Sequence, residues 1–211
     1  MKKNLYCSLA LLCAFIVWTL LVTSIDVKAI GPLETSVGFA TLNRFIHQLT
    51  GVHLSVYIIS DILSLIPLLM VAVFGIIGLK QWIKRKRFLS VDRDILFLGG
   101  FYIVVFAIYI LFEFVVINYR PILIEGILEA SYPSSTTMLV ICIMGTSMMQ
   151  FHKRIKNAPL KRGVNVTIFV FSVFMVVGRM ISGVHWFTDI VGGALLSAGL
   201  VMMYGYLDTL Y

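Results

Sequence analysis

Charge is scarce in this sequence: only 13% of its 211 residues are Asp, Glu, Lys or Arg, and ten of them are acidic. Metal-ligand spacing is missing too. Cys7, Cys13 and Cys142 each sit inside an apolar run and read as buried thiols that say nothing about redox compartment. No internal repeat and no low-complexity linker divides the chain, so one domain accounts for residues 1–211. What remains is apolar. Hydrophobic residues make up 60% of the sequence, and mean hydropathy is +0.98. A soluble domain of this length cannot hide so much apolar surface, so the chain reads as an integral, all-α membrane protein.

Six apolar runs predict six transmembrane helices. The first, Leu5 to Ile25, follows Lys2-Lys3 and exceeds a usual signal core of about 7–15 residues, so it reads as an uncleaved anchor despite the cleavage-like Val27-Lys28-Ala29. The others are Leu54–Leu79, Ile95–Ile117, Ser135–Met149, Val164–Val177 and Trp186–Leu207. Between the first two, Phe39, Leu42, Phe45, Ile46 and Leu49 recur at helical spacing and predict a short helix lying at the interface, with His47 and His53 in structural roles. Asp61, about two turns inside the second run, is free to bond a neighbouring helix, stay near the interface or face a site. Catalysis is not expected of it.

The net charge of +7 is distributed by side. With six spans, Lys2 and Lys3, the six basic residues from Lys80 to Arg93 and the five from Lys153 to Arg162 share one side, which makes thirteen of the seventeen Lys and Arg. By the positive-inside rule that side, with both termini, is cytoplasmic, and the loops holding Arg120, Ser134 and His185 face outward. Topology thus explains the basicity without a nucleic-acid partner.

The chemistry concentrates where the last two spans meet, in Gly178-Arg179-Met180-Ile181-Ser182-Gly183-Val184-His185-Trp186-Phe187-Thr188-Asp189. On one helix, His185 and Asp189 share a face, and the carboxylate would hold one ring nitrogen while the other stays free to attack or take a proton. Arg179 offers a guanidinium to an anion held against the imidazole. Ionisable residues at membrane depth are costly, and they point to function.

This Arg-x5-His-x3-Asp pattern resembles the third signature of the type-2 phosphatidic acid phosphatase family, which shares its helical core with acid phosphatases and vanadium haloperoxidases. Arg120-Pro121 resembles the end of the first signature, Lys-x6-Arg-Pro, and Pro133-Ser134 the start of the second, Pro-Ser-Gly-His. The resemblance covers about residues 113–193. It implies a phosphohistidine intermediate on His185, oriented by Asp189, with Arg120, Arg179 and Ser134 binding the phosphoryl oxygens, and neither metal nor cofactor.

Four positions depart from the pattern. Gly178 stands where the family usually has Ser before the Arg, Glu113 where it has Lys, Ser135 replaces the Gly, and Thr136 replaces the His that protonates the leaving alkoxide. A Glu113 whose pKa is raised by burial would be a substitute acid. A phosphate leaving from a pyrophosphate would need less acid help. The expectation is a phosphohydrolase of the cytoplasmic membrane acting on a lipid phosphate or pyrophosphate, such as undecaprenyl pyrophosphate, phosphatidate or phosphatidylglycerol phosphate. The competing expectations are a non-catalytic lipid-phosphate binder or assembly protein, and a phosphotransferase.

Overall fold

Each apolar run becomes helix in the computed structural model, which describes residues 2–210. The order is α1 (Lys2–Ser24), α2 (Ala40–Thr50), α3 (Leu54–Leu63), α4 (Leu65–Arg85), α5 (Arg93–Phe114), α6 (Ser135–Arg154), α7 (Ala158–Ile181) and α8 (Phe187–Asp208). A two-residue antiparallel ladder, β1 (Lys28–Ala29) with β2 (Ser36–Val37), folds the link between α1 and α2. Among the described residues, five segments are long and apolar enough to cross a membrane: 3–24, 54–85, 93–114, 158–181 and 187–208.

α6 is twenty residues long but more polar, and its position explains the difference. It packs against α4, α5, α7 and α8 and buries Thr136, Thr137, Thr146, Ser147 and Gln150 inside the bundle. The Thr146 hydroxyl donates to the Cys142 carbonyl at 2.8 Å, and the Gln150 amide donates to the Tyr204 hydroxyl at 2.6 Å. A helix walled by other helices has little lipid-facing surface to cover, so its sequence carries less apolar character. α1 lies along α8, where the Ser8 hydroxyl donates to the Gly199 carbonyl at 2.8 Å.

The second apolar run is interrupted at Ser64. Pro67 supplies the reason, because it has no N–H for the Leu63 carbonyl and its ring crowds that oxygen. The break lets the two pieces choose different neighbours: α3 packs against α7, while α4 packs against α5 and α6. α7 begins at Ala158 rather than Val164 and runs to Ile181 rather than Val177. Asn157 caps it by accepting the Leu160 amide at 2.9 Å, and Pro159 occupies the first turn, where no donor is needed. Lys161 and Arg162 therefore ride on α7 rather than in the preceding loop.

Candidate active site

At one end of the bundle the chain leaves α7, turns sharply and enters α8. Gly183 sits there at φ +69°, and a Cβ on it would lie 2.3 Å from the Gly51 carbonyl oxygen. The link between α2 and α3 packs directly on this turn. The His53 amide donates to the Ser182 carbonyl at 3.1 Å, and His47 Nε2 stands 3.1 Å from the Gly183 carbonyl. The turn delivers His185 and Trp186 as buried residues just ahead of α8. His185 thus precedes the helix rather than sharing its face with Asp189. Asp189, in the first turn of α8, reaches back to accept the Trp186 amide at 2.9 Å.

The direct His–Asp contact expected from four-residue spacing is replaced by a bridge. His185 Nδ1 is 3.9 Å from Asp189 Oδ2 but 3.1 Å from the Ser131 hydroxyl, and that hydroxyl donates to the same carboxylate oxygen. Ser131 has one proton to give and gives it to Asp189, so its oxygen accepts Nδ1–H. The tautomer is thereby fixed with Nε2 bare. Asn118 completes the support, its amide donating to Asp189 Oδ1 at 3.1 Å. Burial pushes the His185 pKa well below its ordinary value, and the neighbouring Arg120 and Arg179 charges push it the same way. At neutral pH the imidazole is uncharged and nucleophilic.

Two guanidiniums face this imidazole. Arg179, in the last turn of α7, is buried, with Nη2 2.9 Å from Asp61 Oδ1 on α3. Its Nε and Nη1 are buried without a hydrogen-bond partner. Arg120 comes from the loop between α5 and α6, which folds back on itself through a Tyr119–Ala130 bridge and is tied down by the Trp186 indole donating to the Tyr119 carbonyl at 2.8 Å. Arg120 Nε lies 3.0 Å from Glu129 Oε2 without hydrogen-bond alignment, and its Nη1 is also buried and unpartnered. Both guanidiniums lie over the Tyr57 ring, Arg179 at 5.0 Å and Arg120 at 5.9 Å from its centroid. A buried donor left unmade costs about 1–3 kcal/mol, more when charged. Several left open on two guanidiniums over one ring are available to an anionic acceptor.

Ser134 is fully buried beside this centre as the cap of α6. Its hydroxyl accepts the Thr137 amide at 3.4 Å, and its own amide donates to the Asp189 carbonyl at 3.0 Å. The next two amides, of Ser135 and Thr136, open the helix and have no intrahelical acceptor. Thr136 is buried there. Glu113 does not fit the expectation made for it. It stands exposed at the end of α5, lining a small cleft with Ser131, Pro133 and Ser135, so the burial expected of it is missing. Among the described residues no three His, Cys, Asp or Glu side chains cluster as a metal site. Ser131, Asn118 and Tyr57 escaped the sequence reading. Only the four-residue spacing of Tyr57 and Asp61 on one helical face hinted at the α3 contribution.

The helical scaffold has a counterpart of known structure, "Crystal structure of the first transmembrane PAP2 type phosphatidylglycerolphosphate phosphatase from Bacillus subtilis". It superposes with a TM-score of 0.65 at 18% identity, covering 97% of this chain and 96% of that one. At that identity the likeness speaks for the fold. No curated protein matches the sequence significantly. The family model of the PAP2 superfamily matches residues 64–208, a stretch that holds Arg120, Ser131, Ser134, Arg179, His185 and Asp189. With well over half its length matched by that model, the chain belongs to the PAP2 superfamily.

Proposed function

We propose that this protein is a six-span membrane phosphohydrolase that removes phosphate from a lipid pyrophosphate or lipid phosphate at the outer face of the cytoplasmic membrane. The observation that carries the reading is the set of buried, unpartnered guanidinium nitrogens on Arg120 and Arg179 beside an uncharged His185. His185 Nε2 attacks phosphorus while the P–O bond to the leaving group breaks and its electron pair departs with the oxygen. The guanidiniums and the α6 amides hold the equatorial oxygens, where transition-state charge is spread. Asp189, acting through Ser131, stabilises the imidazole as it turns cationic. Water then attacks the phosphohistidine, the P–N bond breaks, and orthophosphate leaves.

Thr136 offers no acid near neutral pH, and Glu113 is exposed. A leaving group that is already a stable anion suits such a site, and this favours a pyrophosphate such as a polyprenyl pyrophosphate over a simple monoester. The basic residues from Lys80 to Arg93 and from Lys153 to Arg162 cluster where α4 ends and α5 begins and where α6 ends and α7 begins, opposite the candidate site, which supports an outward-facing site. The test is phosphate release by purified wild type and His185→Ala in detergent across a panel of lipid phosphates and pyrophosphates. Release by wild type alone, fastest with a pyrophosphate, is expected. Equal background from both proteins would exclude hydrolysis.

A further inference from the structure

Each phosphate-facing guanidinium has a carboxylate of its own, and the two pairs are built alike. Arg179 holds Asp61 at 2.9 Å, and Arg120 holds Glu129 at 3.0 Å. In each pair the cation is inside and the acid is at the rim: side-chain exposure is 3% for Arg179 against 59% for Asp61, and 14% for Arg120 against 38% for Glu129. Asp61 accepts from one nitrogen of Arg179, and Glu129 lies beside Nε of Arg120 without hydrogen-bond alignment. Nε and Nη1 of Arg179 and Nε and Nη1 of Arg120 are buried with no hydrogen-bond partner. A carboxylate placed only to neutralise a buried arginine would take the bidentate geometry that the guanidinium fork offers. Here the acids grip one edge, and Tyr57 supports both planes from one side.

We propose that Asp61 and Glu129 are positioning residues of the anion site, and that their charges also set how tightly the site holds free orthophosphate. The inference rests on the phosphohydrolase reading for its catalytic half. Its binding half, a phosphate site formed by the two guanidiniums, stands on geometry. Two arginines beside a neutral imidazole with no counter-charge would bind product as firmly as substrate, and such uniform binding does not raise turnover. A rim carboxylate on each guanidinium weakens the hold on a ground-state dianion. It also fixes the orientation in which the inner nitrogens meet the transition state. Asp61 comes from α3, so the interruption at Ser64 that turns α3 towards α7 is part of how the site is assembled. This acid lies far outside the stretches that carry the motif residues.

The experiment is calorimetric titration of inorganic phosphate into full-length wild type, Asp61→Asn, Asp61→Glu, Glu129→Gln and Arg179→Ala in detergent, alongside turnover of each. Asp61→Asn and Glu129→Gln are each expected to bind phosphate about three- to tenfold more tightly than wild type, from removal of one nearby negative charge. Turnover should fall about tenfold or more in Asp61→Asn, without a rise in KM, as orientation is lost. Asp61→Glu should restore part of both properties, and Arg179→Ala should lose phosphate binding. Unchanged phosphate affinity in the folded Asn and Gln variants, even with reduced turnover, would mark the acids as structural contacts and overturn the proposal. If Asp61→Asn does not fold, Glu129→Gln and Asp61→Glu decide the matter by the same readout. Wild type that binds no phosphate also overturns it. Wild type that binds phosphate but turns nothing over rejects the hydrolase reading alone.

Discussion

Between His185 and Asp189 stands a hydroxyl, and removing it separates two tasks that a direct contact would merge. Ser131 holds the Nδ1–H of the imidazole and passes the carboxylate's influence to it. Ser131→Ala leaves His185, the proposed nucleophile, and both arginines in place but deprives the imidazolium that the proposed attack would develop of a hydrogen bond worth about 1.5–3 kcal/mol. Turnover should therefore fall about 10- to 100-fold while orthophosphate affinity stays at the wild-type value. Ser131→Thr, which keeps the hydroxyl, should recover most of the rate. An Ala variant as fast as wild type would show that Asp189 acts on His185 directly. The sequence made Arg179, His185 and Asp189 legible because they fall within eleven residues at fixed spacing. Ser131 and Asn118 carry no such signal, since a loop that folds back on itself brings them to Asp189.

At the scale of elements, the α7–α8 turn depends on one glycine. Gly183 combines a left-handed φ of +69° with a backbone oxygen 2.3 Å from where a Cβ would stand. Gly183→Ala must both strain its own backbone and displace the α2–α3 link, at a cost of about 2 kcal/mol or more. Gly126 provides the contrast, with φ +79° but open space around it, so Gly126→Ala should meet only the conformational strain of about 1 kcal/mol. Thermal unfolding in detergent should show a clearly lower midpoint for Gly183→Ala than for Gly126→Ala, and equal midpoints would contradict the close packing. Helix existence was readable from the apolar runs, whereas helix ends were less so. α7 starts earlier than its hydropathy suggested because Asn157 and Pro159 set its beginning, and the basic residues that follow are compatible with a helix end at the membrane surface. The break at Ser64 was not read, although Pro67 stood there as its cause.

Across the whole molecule, a buried histidine that resists protonation ties stability to pH. The folded-state pKa of His185 is depressed, while in the unfolded chain it returns to about 6.5. Below that value the unfolded chain takes a proton that the folded chain refuses, so stability is lost as pH falls from 6.5 towards the folded-state pKa. Between pH 7 and pH 5 the wild type should lose more thermal stability than His185→Gln, which has no such proton to take up. Parallel pH profiles for the two would show that the imbalance is absent. Asp189 has a further consequence, for the order in which the protein is made. Its carboxylate gathers Asn118, Ser131 and Trp186, and its carbonyl takes the Ser134 amide. These contacts join the last helix to a loop synthesised well before it. A nascent chain that has reached the end of α7 thus holds both arginines but lacks the α8 residue that ties the surrounding loop together. On the proposed reading, the final helix is therefore the element that completes the phosphate site, and the order of synthesis keeps that completion until last.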